Sequence, residues 1–252
     1  MLFGEGAFLR TMTAMVGPPL APLVVGYKGE IGRYILAGLL EDLPKANDIY
    51  CVDVSNSEAD VRERIARTDF VFLCIPLQHT LEWLRLYHDA LIGKVIVEQC
   101  SLKAMVYEAS DLADLNFLGM HVLFRPSATQ ESDRRCLVFA DHWTPSDLAA
   151  FASEMGRTLK TRVECLTGSD EPAYRVHDRL MARQQALVHR VVLILARGLS
   201  DEASRTYIGQ RICELGARIQ AGDPTLYEII QSNPFLAEEV AGFEADLRGF
   251  TA

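Results

Sequence analysis

The chain has 252 residues and a mass of 28.1 kDa, which is enough for one large domain or two small ones. Its formal net charge of −9 and the lack of any run of lysine or arginine argue against a nucleic-acid-binding protein, because nucleic-acid phosphates would be repelled. Hydrophobic residues make up 49% of the chain, yet no apolar stretch reaches the ~18 residues of a membrane span.

The six cysteines and the N-terminus indicate the cellular context. No two cysteines form a C-x-x-C pair, which argues against a zinc site, and we expect reduced thiols in a cytoplasmic protein without a bound metal. Residues 1–20 are apolar but lack the basic start of a signal peptide, so they are interpreted as an N-terminal leader or an extra packing element.

Short apolar runs recur through the first two thirds of the chain. They are almost continuously apolar rather than alternating, as is typical of parallel strands buried on both faces. The predicted strands are 23–26, 49–54, 70–76, 95–100, 117–123, 136–140 and 160–166.

Segments with helical periodicity separate these runs. The predicted helices are 32–43, 58–68, 80–91, 105–115 and 144–156. Thr144 or Ser146 is expected to cap the last of them. This alternation predicts an α/β fold, with a Rossmann-like, doubly wound and mainly parallel sheet and right-handed crossovers.

The pattern changes near Gly168, and no good strand follows it. The predicted helices of this second region are 178–199, 203–222 and 224–250. The first is too apolar around its circumference to be surrounded by water. We therefore expect an all-helical domain at 169–252 that buries apolar surface against a second copy, giving a homodimer.

Three glycines, Gly26, Gly29 and Gly32, lie between the first predicted strand and the first predicted helix. A Rossmann turn reads G-x-G-x-x-G, and its glycines allow a tight bend, close approach of the pyrophosphate and close helix packing. Counted back from Gly32, Tyr27 occupies the first position, so Gly26 is displaced by one residue. We expect a dinucleotide at the helix N-terminus, which makes 21–168 a dinucleotide-binding domain. Any strand-turn-helix with a glycine-rich bend is the alternative.

Asp53 ends the second predicted strand, about 20 residues beyond the turn, where a carboxylate binds the ribose of NAD and repels the extra phosphate of NADP. NAD is therefore the expected cofactor, with NADP second, although Asp53 could instead be an ordinary loop acid. Lys28 is expected to add a phosphate contact and Glu30 to turn outward. The predicted cofactor-binding residues are Gly26, Tyr27, Lys28, Gly29, Glu30, Ile31, Gly32, Asp53 and Pro76.

Polar residues interrupt the apolar pattern at four later places. Ser101 and Lys103 follow a predicted strand, at the carboxyl edge where open sheets bind ligands. His121 lies within an apolar run, and His189 on an apolar helix, where a histidine is commonly a core residue. Arg218 lies near the end of the predicted helix 203–222, just before the next helix, and an arginine on an exposed helix is commonly solvated.

Together these stretches resemble the prephenate/arogenate dehydrogenase family of tyrosine biosynthesis. The family's D-x-x-S-V-K motif is similar to EQCSLK at 98–103, and its G-x-H-P-M-F-G-P motif to GMHVLFRP at 119–126. Its H-D and Q-A-L-x-H segments match 177–189, and its R-x-x-x-x-D-P-x-L-Y segment matches 218–230. The resemblance runs from about Val24 to Phe250.

The resemblance implies NAD-dependent oxidative decarboxylation of prephenate or a close analogue. His121 would be the catalytic base that accepts the proton of the C4 hydroxyl while hydride leaves C4. Ser101 would form hydrogen bonds with His121 and with the C4 hydroxyl. His189 matches a histidine of the substrate pocket, and Arg218 an arginine that pairs with a substrate carboxylate. Lys103 and Arg125 complete the predicted substrate-binding residues. The resemblance also implies a homodimer.

Departures from the family pattern leave alternatives open. Val122 replaces a proline, Arg125 replaces a glycine and could pair with a carboxylate or fill the pocket, and Tyr27 and Lys28 are expected to crowd the turn. Arogenate or an amino-substituted prephenate is therefore a possible substrate. The competing hypotheses are an NAD-linked dehydrogenase of another small carboxylated alcohol, and a non-catalytic binding or regulatory protein that keeps the fold.

Overall fold

A computed structural model describes residues 21–42, 49–127, 129–168, 170–199 and 206–250. The chain divides into two compact units, the first ending at Tyr174 and the second beginning at Arg175. This division falls a few residues after the predicted boundary at Gly168. The predicted leader, 1–20, lies outside the described residues. No helix in the described part of the chain is long and apolar enough to cross a membrane.

The first unit contains one seven-stranded sheet, with the order β2-β1-β3-β4-β5-β6-β7. Its strands are β1 Pro22–Val25, β2 Tyr50–Val52, β3 Phe70–Leu73, β4 Val95–Glu98, β5 Asn116–Val122, β6 Arg135–Phe139 and β7 Arg162–Cys165. Every neighbouring pair is parallel except β5 and β6. All seven predicted strands and the mainly parallel, doubly wound sheet are therefore confirmed.

Helices connect these strands. They are α1 Glu30–Asp42, α2 Glu58–Ala66, α3 Leu77–Leu86, α4 His88–Leu91, α5 Ala104–Tyr107 and α6 Pro145–Thr158. Thr144, not Ser146, caps α6, because its side chain accepts the amide of Asp147. The helix predicted over 105–115 is wrong as one element. Ala109 has an extended backbone, and a separate 3₁₀ turn, Ser110–Leu112, follows.

The core lies between the sheet and its helices. On one face, Ile35 and Leu39 of α1 and Phe151 and Met155 of α6 belong to one buried cluster with Val97 and other strand residues. Burial of a side chain as large as Phe151 stabilises the fold by about 1.5–3 kcal/mol. From β1 the chain continues to β2 on one side, and from β3 it continues to β4 on the other side. The connections that leave the neighbouring strands β1 and β3 therefore diverge, and a crevice opens between them at the carboxyl edge of the sheet.

The second unit is helical in its described residues, as predicted. Its elements are α7 Ala173–Met181, a π-helical segment Ala182–Leu187, α8 Val188–Gly198, α9 Tyr207–Gln220, α10 Pro224–Gln231 and α11 Leu236–Phe250. The prediction of one helix over 224–250 is wrong. Asn233 ends α10 by donating to the carbonyl of Asp178 at 2.7 Å and accepting the amide of Phe235 at 3.0 Å. Pro234 follows it and removes a backbone donor.

Candidate active site at the carboxyl edge of the sheet

The glycine turn joins β1 to α1, and Gly26 forms its bend. Gly26 has a φ of 77°, and a Cβ there would lie 2.6 Å from the carbonyl oxygen of Cys74. A Cβ on Gly32 would lie 2.2 Å from the carbonyl oxygen of Gly26, so strand and helix approach closely there. The interpretation of Tyr27 as the first position is therefore wrong. The turn keeps a bend glycine and is one residue longer than the G-x-G-x-x-G pattern.

This turn presents main chain to a ligand. The amide of Gly29 closes the bend by donating to the carbonyl of Gly26 at 3.0 Å, and α1 begins at the next residue. The first amides of a helix have no acceptor within it and carry the positive end of its dipole, so they suit a pyrophosphate. Tyr27 packs against the core cluster, and the expectation that it crowds the turn stays a prediction.

Asp53 lies just beyond β2 and beside the turn. Its Oδ2 accepts the amide of Lys28 at 3.3 Å, and its Oδ1 accepts the amide of Val54 at 2.8 Å. Its own amide donates to the Oδ1 of Asn56 at 2.9 Å. These bonds hold the carboxylate at the sheet edge, beside the glycine turn, and its role toward a ribose stays a prediction.

A cleft of about 420 Å³ adjoins Gly26 and Asp53. Pro76, a predicted cofactor-binding residue, lines it. Its walls also include Trp83 and Tyr87, which the sequence analysis missed. They could have been found from their spacing, because residues four apart share a face of the helix that follows the third strand. A cleft with aromatic walls next to a carboxylate is of a kind that suits a planar, partly polar ring.

His121 and Ser101 lie at the ends of adjacent strands. β4 and β5 are parallel, with Glu98 paired to Gly119, and the two polar residues follow shortly after that pair. His121 is buried, with 7% of its surface exposed. Gly119 lies on the same face of β5 as His121, and a Cβ there would lie 2.2 Å from the ring of Phe139. A hydrogen bond between Ser101 and His121 stays a prediction.

Lys103 is fully buried, which corrects its assignment as a substrate ligand. Its Nζ lies 2.6 Å from the Oε1 of Glu98, whose side chain is also fully buried. The same Nζ donates to the carbonyl oxygens of Glu98 at 3.2 Å and Met120 at 3.0 Å. With no exposed surface to offer a substrate, Lys103 instead ties the end of β4 to β5 next to His121. Burial raises the pKa of Glu98, and the ammonium of Lys103 opposes this shift.

Glu30 does not simply turn outward, because its carboxylate holds the loop after β5. Its Oε1 accepts the amide of Ser127 at 2.9 Å and the hydroxyl of Ser127 at 2.5 Å, and its Oε2 lies 3.2 Å from Nε of Arg125. The bonds from Ser127, and then Arg125, lower the pKa of Glu30. Arg125 therefore does pair with a carboxylate, but this carboxylate is the side chain of Glu30 and not that of a substrate. The Arg125 side chain is 76% exposed.

His189 and Arg218 belong to the second unit. His189 stacks on Tyr227 with the ring centroids 6.3 Å apart and the planes 7° apart. Its Nδ1 is buried and has no hydrogen-bond partner among the residues that the structure describes, and burial lowers its pKa. Arg218 is exposed in the last turn of α9. Their roles toward a substrate stay predictions.

No metal centre accompanies these residues in the described ranges, where no three His, Cys, Asp or Glu side chains lie close enough to hold an ion. All six cysteines are free thiols, and burial raises the pKa of Cys100 to about 12. A thiol with so high a pKa stays protonated at neutral pH and is a poor nucleophile.

No protein-family model and no curated protein matches the chain. Solved structures do. The prephenate dehydrogenase of Aquifex aeolicus, in complex with hydroxyphenyl propionate and NAD+, has a TM-score of 0.68 and 18% identity, covering 92% of this chain and 89% of that one. Synechocystis arogenate dehydrogenase has a TM-score of 0.64 and 16% identity, covering 91% and 90%. An imine reductase variant from Myxococcus stipitatus, in complex with NAD+, has a TM-score of 0.51 and 13% identity, covering 80% and 73%.

Identities this low show the fold alone, but the likeness to the two biosynthetic dehydrogenases spans about nine tenths of the chain. It covers both the sheet with the glycine turn and the helical region that follows. The fold that the sequence motifs predict is thus confirmed, and the chain folds as prephenate and arogenate dehydrogenases do.

Proposed function

We propose that this protein is a nicotinamide-dinucleotide-dependent dehydrogenase that oxidatively decarboxylates prephenate or a close analogue, such as arogenate or an amino-substituted prephenate. NAD is the proposed cofactor because Asp53 stands beside the glycine turn. The residues present suit a dinucleotide, since the positions of Gly26 and Gly32 would be filled by any side chain.

One observation carries the proposal. The glycine turn follows β1, and the motif residues Ser101 and His121 follow or end β4 and β5 of the same parallel set, so all of them lie at one edge of one sheet. In open α/β sheets this edge is where ligands bind. A hydride acceptor and a base are thereby provided on a common scaffold.

The chemistry that the bound dinucleotide would supply is acceptance of the hydride from C4. The His121 imidazole takes the proton of the C4 hydroxyl, the general-base role that imidazoles most often fill in enzymes. Ser101 orients that imidazole. As the ring carboxylate leaves as CO2, its bonding electron pair enters the ring, the C4 oxygen becomes a phenolate, and His121 returns the proton to it. No net proton is released.

Residues of the second unit are proposed for the substrate from the motif match alone. Arg218 has the planar guanidinium that binds a carboxylate through two hydrogen bonds, and His189 is the proposed pocket histidine. A homodimer is also proposed, because Ile194, Tyr207 and Ile208 are each at least 65% exposed on the helices of this unit. Light scattering at micromolar concentration would test it, and a monomer would count against it.

The direct test supplies the purified chain with NAD and either prephenate or arogenate. We expect NADH absorbance together with 4-hydroxyphenylpyruvate from prephenate, whereas tyrosine formed only from arogenate would change the substrate assignment. His121→Asn should lower kcat by about 100-fold or more while leaving the dissociation constant for NAD unchanged. An equal loss of NAD binding would mean that His121 is structural.

The competing hypotheses differ in what they bind. If NAD and NADP both fail to raise the melting temperature, the non-catalytic hypothesis gains, because a ligand of the native state must stabilise it by mass action. If NAD binds but neither cyclohexadiene is oxidised, the dehydrogenase acts on another small carboxylated alcohol.

A further inference from the structure

Lys28 reaches the ribose side of the candidate cofactor site. Its amide donates to the Asp53 carboxylate at 3.3 Å, and its Nζ donates to the hydroxyl of Ser55, two residues further along, at 3.3 Å. One residue of the glycine turn therefore spans the ends of β1 and β2. The side chain extends toward the residues that follow the ribose-binding acid, so it does not cover the main-chain cradle.

The positive charges at this corner are not paired with a carboxylate, although the Lys28 ammonium lies over the Tyr27 ring at 5.6 Å from its centroid. In the described part of the chain, neither Lys28 nor Arg33 has a carboxylate oxygen within 4.0 Å. Arg33, on the first turns of α1, donates to the carbonyl of Lys28 at 2.6 Å, which brings a second exposed cation, a guanidinium, to the same loop. The corner thus has two cations for the one carboxylate of Asp53.

The hydrogen-bonding capacity of the Asp53 carboxylate is already partly used within the protein. Each of its oxygens already accepts a main-chain amide, from Lys28 and from Val54. In dinucleotide sites such an acid favours the 2′-hydroxyl of NAD, whereas a nearby cation accommodates the 2′-phosphate of NADP. Here both features occur together, and the cation comes from the turn itself.

On the basis of the proposed function, we propose that Lys28 and Ser55 form a receptor for the 2′-phosphate of an adenine dinucleotide, so that the protein accepts NADP as well as NAD. The ammonium and the hydroxyl of this pair, with the Arg33 guanidinium nearby, would offer donors to a dianion that Asp53 alone would repel. Lys28 is then the residue that determines how much the 2′-phosphate changes the affinity for the cofactor.

The test compares two ligands that differ only in the 2′-phosphate, 5′-AMP and adenosine 2′,5′-bisphosphate, by calorimetric titration of the full chain. We expect the bisphosphate to bind within about tenfold of 5′-AMP, because the donors of Lys28 and Ser55 offset the repulsion from Asp53. Lys28→Met should weaken the bisphosphate by about tenfold to a hundredfold and leave 5′-AMP within about threefold, as expected for loss of a charged hydrogen bond. Ser55→Ala should cause a smaller loss in the same direction.

Lys160→Met is the matched control, since it removes one charge at an exposed residue that pairs with Glu41, remote from the cleft residues. It should change neither affinity. The receptor is refuted, with the proposed function intact, if NAD and 5′-AMP bind but the bisphosphate binds more than about a hundredfold more weakly than 5′-AMP. It is also refuted if Lys28→Met weakens both ligands equally, because Lys28 would then contact the 5′-phosphate. If no adenine nucleotide binds at all, both the receptor and the proposed function fail.

Discussion

Replacing Lys103 with methionine should destabilise the protein strongly. The Glu98 and Lys103 side chains are both fully buried and 2.6 Å apart, so the substitution leaves one buried carboxylate without its counter-ion. Removal of one partner from a buried ion pair costs about 3–5 kcal/mol. We expect a loss of that size in the free energy of unfolding, measured by urea denaturation at pH 7.5.

The pH dependence of this loss identifies its cause. An unpaired buried carboxyl has a raised pKa, so the native state of Lys103→Met binds a proton that the unfolded state does not. Its free energy of unfolding therefore falls as pH rises above the unfolded pKa, and the deficit relative to wild type should be smaller at pH 5.5 than at pH 7.5. A deficit that is the same at both pH values would contradict the explanation.

Two further variants separate charge from packing. Glu98→Gln combined with Lys103→Met removes both charges and should recover much of the stability, because neutral replacement of a whole buried pair is commonly tolerated. Lys160→Met breaks an exposed pair with Glu41 and should cost less than about 1 kcal/mol. If the single Lys103→Met variant is as stable as the Lys160→Met control, the buried pair is not what joins β4 to β5.

Two other substitutions test the turn and the second unit. Gly26→Ala should abolish dinucleotide binding and should lower the urea midpoint more than Gly93→Ala does. Both glycines have a φ of 77°, but only a Cβ at Gly26 would meet backbone, at 2.6 Å. Equal losses in urea midpoint would show that the strain of a positive φ alone determines the cost. Burial lowers the pKa of His189, so its contribution to stability is fully present above the unfolded pKa of about 6.5 and is lost as pH falls below that value through the lowered folded pKa. His189→Phe should therefore lose less of its urea midpoint than wild type between pH 7.5 and pH 5.5, and equal losses would assign the pH dependence to other groups.

The strands were predictable because parallel strands buried on both faces need continuous apolar runs, and the seven runs supply them. The helix over 105–115 was not, since packing prevailed over local propensity. Tyr107 lies against Phe117 and Phe139 with ring centroids 5.4 and 5.6 Å apart, and the extended backbone of Ala109 still lets Leu112 be buried.

At the site, the sequence identifies residue types better than their surroundings. Lys103 was predicted to bind substrate because it follows a strand at the carboxyl edge of the sheet. Lysine is almost never fully buried without a partner, and the partner here, Glu98, lies five residues earlier in the same motif. The role of Gly26 depends on a backbone angle and on the nearness of Cys74, neither of which can be counted from glycine spacing. Both errors concern contacts between neighbouring strands.

The contact between Glu30 and Ser127 connects the glycine turn to the strand that carries His121. Glu30 opens α1, the helix whose N-terminus would face the pyrophosphate, and Ser127 lies on the loop that leaves the strand of His121. Phe124 of the same loop packs edge-on against Tyr34, one turn further along α1, with the ring centroids 5.4 Å apart. Tyr34, four positions after Glu30 and on the same face of the helix, thus forms a second contact between α1 and this loop. Because the loop is attached to α1 at two points, any displacement of α1 would also displace the loop that follows His121.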